Sequence, residues 1–170
     1  MPAPAQWLPV QPLTASAFAP FGRVIACDPL AQQFAINAGT CTRFHDLVRP
    51  EVDGGAVALS IFAAQAAPMP APLRVMERHP LGSQAFAPLG QALGMVVVVA
   101  DASIAEQDLR PHHLHAFVSS PEQALQLHRG TWHHPLLSLQ AGQWLVIDRV
   151  GEGHNCDEVD IAHWQLRCQP

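Results

Sequence analysis

The sequence predicts a mainly β fold, a barrel or jelly roll with a few short helices. Sixteen prolines and eleven glycines break the 170 residues at short intervals, which is typical of short strands joined by turns. Between these breaks lie short runs of β-branched and aliphatic residues, most clearly at 95–100 (MVVVVA). We therefore expect strands to dominate the structure.

Seven segments have the composition of strands. In chain order they are 21–26 (FGRVIA), 56–63 (AVALSIFA), 73–79 (LRVMERH), 95–100, 115–118, 143–149 (QWLVIDR) and 163–168. A proline-rich turn separates the second strand from the third. The fourth is nearly all valine, so we expect it to be buried on both faces.

Two segments are predicted to be helical. Residues 14–19 (TASAFA) offer Thr14 as an N-cap, and residues 120–126 begin with Ser-Pro-Glu. Serine and threonine favour the cap position, and proline favours the first turn.

The length and composition indicate a single globular domain, residues 1–170. A chain of this size buries roughly two-thirds of its unfolded surface, so it needs no disulfides to hold a core. Hydrophobic residues make up 49% and charged residues 14%. We find no internal repeat and no linker that would divide the chain.

The charge balance excludes several functions. The net charge is −5, and all nine basic residues are arginines. These arginines are scattered along the chain and form no basic cluster in the sequence, so nucleic acid is not an expected partner. Without lysine the chain cannot form a Schiff base. Tyrosine is also absent, so acid–base chemistry must use His, Asp, Glu, Cys or water.

The four cysteines indicate a reduced, cytoplasmic protein. They are widely spaced, without a CxxC pair, which argues against a four-cysteine zinc site or a disulfide scaffold. We predict no signal peptide, because residues 1–12 have no charged segment before an apolar core, and no membrane span, because no stretch approaches ~18 unbroken apolar residues.

The first candidate site segment is 77–86 (ERHPLGSQAF). Alternation on a strand places Glu77 and His79 on one face and Arg78 on the other, unless a bulge re-aims it. A turn at 80–83 brings Gln84 back near His79. Imidazole nitrogen and an oxygen donor suit a divalent metal. The alternative is a solvated charge cluster at a strand end.

The second segment is 128–136 (HRGTWHHPL). Consecutive histidines on a strand face opposite sides, so we expect only one of them in a pocket. We select His133, because His134 precedes a proline and serves the turn. Trp132 offers an apolar wall that excludes water. The alternative is a structural histidine pair beside a core tryptophan.

The third segment is 144–149 (WLVIDR), where alternation puts Asp148 on the same face as Trp144 and Val146. A carboxylate on that face would orient a histidine or hold an arginine, or form an ordinary strand-end ion pair. The acidic loop 151–158 is expected to be mostly solvated, with Asn155 and Asp157 as candidates to close a pocket or a subunit contact. The histidines at 112, 113 and 115 lack a nearby Cys, Asp or Glu and are not predicted to be ligands.

Four segments, in the same order along the chain, resemble the ureidoglycolate lyase family. They are INAGTCTRFHDL at 36–47, ERHPLGSQAF at 77–86, HRGTWHHPL at 128–136 and the IDR…G…NCDE pattern at 147–158. The resemblance implies a cupin-like β-barrel and a homodimer. It also implies cleavage of (S)-ureidoglycolate to glyoxylate and urea in allantoin breakdown, with a divalent metal for which nickel is suggested.

Cleavage of such a hemiaminal needs a base for the hydroxyl proton and an acid for the departing urea nitrogen. We predict Glu77, His79 and His133 as catalytic residues, and His79, Gln84 and His133 as the ligands of any metal. The substrate-binding candidates are Arg78 or Arg129 for the carboxylate, Trp132 as pocket lining, and His128 and Asp148 as groups that fix a tautomer.

Three other functions compete with this prediction, the third of them needing more metal ligands than these motifs offer. The first is an amidohydrolase that releases ammonia rather than urea. The second is a non-catalytic cupin that binds a small carboxylic acid. The third is a cupin oxygenase or isomerase, which would need a fuller set of histidine and carboxylate ligands.

Overall fold

The computed structural model describes residues 6–90 and 92–170 and confirms the mainly β class. Its strands are β1 Gln6–Leu8, β2 Val10–Pro12, β3 Gly22–Ile25, β4 Gln33–Ile36, β5 Cys41–Phe44, β6 Ala56–Ala64, β7 Ala71–Pro72, β8 Val75–Arg78, β9 Gln84–Leu89, β10 Met95–Ala100, β11 His115–Val118, β12 Ala124–Leu127, β13 Trp132–His133, β14 Leu137–Ser138, β15 Gly142–Val150, β16 Asp157–Asp160 and β17 Leu166–Cys168. The helical elements are α1 Ala15–Phe18 and the 3₁₀ turns Asn37–Gly39, Glu106–Asp108, Pro111–His113 and Ala162–Trp164. None of the described helices has the length and apolar character needed to cross a membrane.

The strands form two large sheets and two small ones. The seven-stranded sheet has the order β16-β8-β13-β10-β11-β2, with β14 beside β10, and the five-stranded sheet has the order β3-β12-β9-β15-β6. A three-stranded sheet has the order β1-β17-β7, and β4 pairs with β5 in a two-stranded sheet.

Strand β10 is buried on both faces, as predicted, because it lies between two core clusters. On one face Val97 and Val99 pack with residues of the five-stranded sheet, among them Phe86 and Trp144. On the other face Val96 and Val98 pack with the three-stranded sheet, including Leu8, Leu166 and Cys168. The described elements therefore form three layers, and side chains of β13 and β8 that share the Val99 face point between the two large sheets.

The predicted elements are largely confirmed. A strand occurs within or across each of the seven segments, and α1 lies within 14–19 with the Thr14 hydroxyl accepting from the Ala17 amide at 3.3 Å. The helix predicted at 120–126 is wrong. Residues 120–123 form a turn, and β12 pairs with β3 and β9, which buries Leu125 and Leu127. The last strand is shorter than predicted, because a 3₁₀ turn occupies 162–164.

The buried Cys168 provides the first testable prediction. Its side chain is fully buried, and this burial raises the pKa of the thiol to about 11. An unfolded thiol ionises nearer 8.5. The unfolded chain therefore holds fewer protons than the native chain between pH 9 and 11, so stability falls as the pH rises. We expect a contribution of up to about 1.4 kcal/mol per pH unit.

The measurement is urea unfolding at a series of pH values from 8 to 11, on the wild type and on Cys168→Ala. The sequence contains no lysine or tyrosine, so few other side chains titrate in this window, and the remaining cysteines are common to both proteins. The wild type should lose more stability than Cys168→Ala. Parallel stability curves would contradict the prediction.

Candidate active site

Glu77 and His133 face each other across two neighbouring strands. The antiparallel register of β8 and β13 pairs these residues directly, and β13 in turn pairs His133 with Val99 of β10. Directly opposed residues share a sheet face, so both point between the two large sheets. His79 follows β8, and its ring centre lies 5.2 Å from that of His133. The predicted convergence of positions 79 and 133 is confirmed.

Backbone carbonyls fix the orientation of both imidazoles. Nδ1 of His79 lies 2.7 Å from the carbonyl oxygen of Asn155, and Nδ1 of His133 lies 3.0 Å from that of Thr131. A carbonyl oxygen only accepts hydrogen bonds, so each Nδ1 carries the proton and each neutral ring keeps its lone pair on Nε2. Both Nε2 atoms are buried and have no hydrogen-bond partner among the described residues.

Glu77 supplies a negative charge next to these nitrogens. Its Oε1 lies 3.4 Å from Nε2 of His133, which is long for a hydrogen bond. Burial acts to raise the pKa of this carboxyl, but the contact with His133 and the electrostatic influence of the nearby imidazoles outweigh it and leave the pKa below its ordinary value. Glu77 is therefore a carboxylate at neutral pH.

These three side chains fit a divalent metal ion. One ligand atom of each of Glu77, His79 and His133 lies within 4.8 Å of the other two. Buried polar atoms normally have partners, and two orphaned Nε2 atoms beside a carboxylate are the donors that transition metals take. In addition, a histidine that ligates a metal usually donates its other ring N–H to a carbonyl or carboxylate outside the ligand set, as Nδ1 of both imidazoles does here. We call these bonds the outer contacts of the site.

Cys156 was not predicted to lie at this site. Its sulfur is 4.0 Å from Oε2 of Glu77 and 3.8 Å from Oε1 of Glu158. Burial raises the pKa of this thiol, and the neighbouring carboxylates raise it further. Cys156 therefore stays protonated at neutral pH and is not set up as a thiolate nucleophile.

Arg78 and Trp132 lie on the opposite faces of their strands from Glu77 and His133. The Arg78 guanidinium pairs with Asp157 at 2.7 Å and lies over the Trp132 ring, 4.5 Å from its centre. Trp132 is fully buried in the core cluster beneath the three-stranded sheet, and its indole N–H donates to Ile104. The structure thus places both residues together, but away from the two imidazoles.

His128 and Arg129 lie in the loop before β13. His128 contacts Glu51 at 3.4 Å and the Ala19 carbonyl at 3.3 Å, in a separate cleft of about 470 Å³. Arg129 is 45% exposed and pairs with Asp53 at 3.2 Å. The next residue, Gly130, donates its amide to the His79 carbonyl at 3.0 Å, so the loop adjoins the site.

Gln84 and Asp148 lie next to each other on the inward face of the five-stranded sheet. The Gln84 amide is 3.5 Å from the Asp148 carboxylate, and Gln84 is buried. The predicted inward face of β15 is confirmed, because Trp144 and Val146, which share that face with Asp148, are buried. The tautomers of His79 and His133 are fixed by the two carbonyls, however, and not by Asp148 or His128.

Asn155 positions His79, a role more specific than the closing of a pocket or a subunit contact for which the sequence makes it a candidate. Its carbonyl holds His79, and its side-chain oxygen accepts from the Leu81 amide at 2.8 Å. The two bonds tie the loop 151–156 to the turn that follows His79. A polar asparagine beside glycines is the only sequence signal, and it is also typical of a solvated loop.

We therefore expect Asn155→Leu to weaken divalent metal binding about tenfold or more, since outer-contact mutations of metal sites usually cost that much. Leucine keeps the volume but removes the acceptor for Leu81. Asn155→Asp keeps an acceptor oxygen and should restore the affinity. Calorimetric titration with Ni²⁺ measures both variants, and equal affinities for wild type and Asn155→Leu would contradict the role.

Comparison with known proteins gives a consistent family. The sequence model of the family described as Ureidoglycolate lyase matches residues 5–167. Proteins named ureidoglycolate lyase are similar over nearly the whole length. That of Burkholderia cepacia is 44% identical over 96% of this chain and 92% of its own. The protein of Pseudomonas syringae pv. syringae is 44% identical over 92% of this chain and 91% of its own length. The protein of Stutzerimonas stutzeri is 45% identical over 89% of this chain and 88% of its own length. On this match the chain belongs to the ureidoglycolate lyase family.

Proposed function

We propose that this chain is a carbon–nitrogen lyase that cleaves (S)-ureidoglycolate to glyoxylate and urea in the breakdown of allantoin. The observation that carries the proposal is the extent of the similarity. It covers residues 5–167 and about nine-tenths of each relative, and so it includes every segment that supplies Glu77, His79 and His133.

The substrate carbon carries a hydroxyl, a carboxylate and the ureido nitrogen. Cleavage requires removal of the hydroxyl proton and delivery of a proton to the departing nitrogen. Glu77 is ionised, and it presents one oxygen toward His133 and the other toward Cys156. We assign Glu77 as the group that accepts the hydroxyl proton and then returns a proton to the urea nitrogen, so that atoms and charge balance.

His79 and His133 would hold a divalent metal through Nε2, with Glu77 or Gln84 adding an oxygen. Such an ion, for which nickel is suggested by the resemblance, would lower the pKa of the substrate hydroxyl and fix its orientation. The arginine proposed for the substrate carboxylate is Arg129, because its exposed pair with Asp53 is weak. Arg78 is already committed to Asp157 and Trp132.

The proposal extends to the setting of the enzyme. We propose a single domain spanning 1–170, assembled as a homodimer in the cytoplasm, as the family resemblance implies. All four cysteines are free thiols, which is compatible with a reducing compartment.

The test is incubation with racemic ureidoglycolate, with and without a chelator, while urea, glyoxylate and ammonia are measured together. We expect equal amounts of urea and glyoxylate from half of the substrate, and loss of this release after chelation. Ammonia in place of urea would identify an amidohydrolase. Binding of the substrate without any product would identify a non-catalytic cupin.

A further inference from the structure

One carboxylate on the inward face of the five-stranded sheet, that of Asp148, has no role in the chemistry described above. It is half-buried. Its hydrogen-bond contact within the described part of the chain is with the Gln84 amide nitrogen, at the long distance of 3.5 Å. No arginine or histidine of residues 6–90 and 92–170 forms an ion pair with it. Withdrawing a carboxylate from water without donors is costly, so Asp148 has acceptor capacity for a bound molecule.

Asp148 lies at the same end of the fold as the two imidazoles. Gln84 begins β9, and the register of β9 with β15 brings Asp148 beside it, while β12 pairs Leu127 with Gln84 on the other side. Two connections leave the five-stranded sheet here, the turn back to β8 and the loop on to β13. They are bonded to each other, because the Gly130 amide donates to the His79 carbonyl at 3.0 Å. The end of the sheet that carries Asp148 therefore adjoins the candidate active site.

The side chains of Asp148 and His133 point into the same space. Asp148 shares its strand face with Val146, two residues earlier. Val146 packs in one core cluster with Val99 of β10, and the register of β10 with β13 pairs Val99 with His133. Directly paired residues share a sheet face. Asp148 and His133 thus face the space between the two large sheets from opposite sides.

The ureido group is the part of the proposed substrate that still lacks a partner. The substrate carboxylate is assigned to Arg129, and the hydroxyl to Glu77 and the ion that the two imidazoles would hold. A ureido group carries N–H donors on both nitrogens and one carbonyl acceptor. The Asp148 carboxylate accepts hydrogen bonds, and the adjacent Gln84 amide nitrogen donates them. Side by side, the two groups present the complement of a terminal CO–NH₂.

We propose that Asp148 accepts hydrogen bonds from the terminal NH₂ of the ureido group while the Gln84 amide donates to the ureido carbonyl. The inference rests on the proposed function and deepens it, because it makes Asp148 the residue that selects ureido acids. Asp148 cannot take the substrate carboxylate instead, since like charges at close range repel. The same repulsion turns the carboxylate away from Asp148 and so fixes which way round the substrate binds.

The test compares two acids that cannot be cleaved because they lack the substrate hydroxyl. N-Carbamoylglycine keeps the ureido group and the carboxylate, whereas N-acetylglycine has a methyl group of similar size in place of the terminal NH₂. Their dissociation constants are measured by calorimetric titration of the full-length protein in the presence of Ni²⁺. The proteins are the wild type, Asp148→Ala, Asp148→Asn and the control Asp108→Asn, whose exposed carboxylate lies in the 3₁₀ turn Glu106–Asp108.

We expect the wild type and Asp108→Asn to bind N-carbamoylglycine at least about tenfold more tightly than N-acetylglycine, since hydrogen bonds to a charged acceptor contribute that much. Asp148→Ala should bind the two acids equally. Asp148→Asn keeps the size but not the charge, so it should retain only part of the preference, and it replaces the alanine variant if circular dichroism melts show that alanine prevents folding. A purely structural role would weaken both acids alike and leave their ratio intact.

Three results would overturn the proposal: equal binding of the two acids by the wild type, no binding of N-carbamoylglycine, or an unchanged ratio in the folded Asp148 variants. The titrations are read without turnover, so they are independent of the product assay. A chain that selects N-carbamoylglycine through Asp148 but releases no urea and glyoxylate would refute the proposed lyase alone. Release of both products with an unchanged ratio would refute this inference alone.

Discussion

Replacing His133 with alanine is expected to lower the turnover of ureidoglycolate by about 100-fold or more. The imidazole is buried and held through Nδ1, so its Nε2 has a single fixed direction, beside Glu77 and the His79 ring. Alanine removes this nitrogen, so the Glu77 carboxylate loses its contact with the imidazole of residue 133. Affinity for Ni²⁺ should fall with turnover if the imidazole is a ligand.

The matched control is His134→Ala, one residue further along the chain. Nδ1 of His134 bonds the Pro135 carbonyl at 2.9 Å, and its Nε2 accepts from the Arg74 amide at 3.4 Å. Burial lowers the pKa of this imidazole, so it is neutral at pH 7. Its loss should change stability slightly and turnover by less than a few fold. Glyoxylate release near the wild-type rate from His133→Ala would remove His133 from the mechanism.

The face that each site residue occupies could be predicted from the sequence. Strand alternation alone puts Asp148 with Trp144 and Val146, and it puts His133 opposite His134; the structure confirms both. The same rule places Trp132 away from His133, because neighbouring residues on a strand face opposite sides. The structure accordingly places Trp132 in the other core cluster, so it is not the wall of the pocket beside His133 that its position in the sequence suggests.

What could not be predicted is the pairing between distant segments. Glu77 and His133 are 56 positions apart, and their contact depends on the register of β8 and β13, which no local pattern encodes. The groups that fix the two imidazoles are backbone carbonyls of Asn155 and Thr131. Every residue has such a carbonyl, so residue types carry no signal for it. The ion pair of Arg78 with Asp157 likewise depends on β16 lying beside β8.

Replacing Glu77 with glutamine is the second change with a large expected effect, a loss of about 10²- to 10⁴-fold in turnover. Glutamine keeps the size of the side chain but can neither accept the substrate proton nor balance the charge of a metal ion. The low pKa of Glu77 gives a further expectation. The carboxylate stays charged as the pH falls from 8 to 5, so any loss of wild-type activity in that range has another source.

The matched control is Glu158→Gln, because Glu158 lies opposite Glu77 on β16 but is exposed to solvent. This variant should keep turnover within a few fold of the wild type. Titration with Ni²⁺ then separates the two roles that one carboxylate can have. If Glu77→Gln binds the ion normally but releases no glyoxylate, Glu77 carries the proton. If it loses affinity and turnover together, Glu77 is a ligand, and the hydroxyl proton must leave by a bound water. Normal affinity together with normal turnover would contradict both roles, since the only carboxylate within 4.8 Å of both imidazoles among the described residues would then take no part.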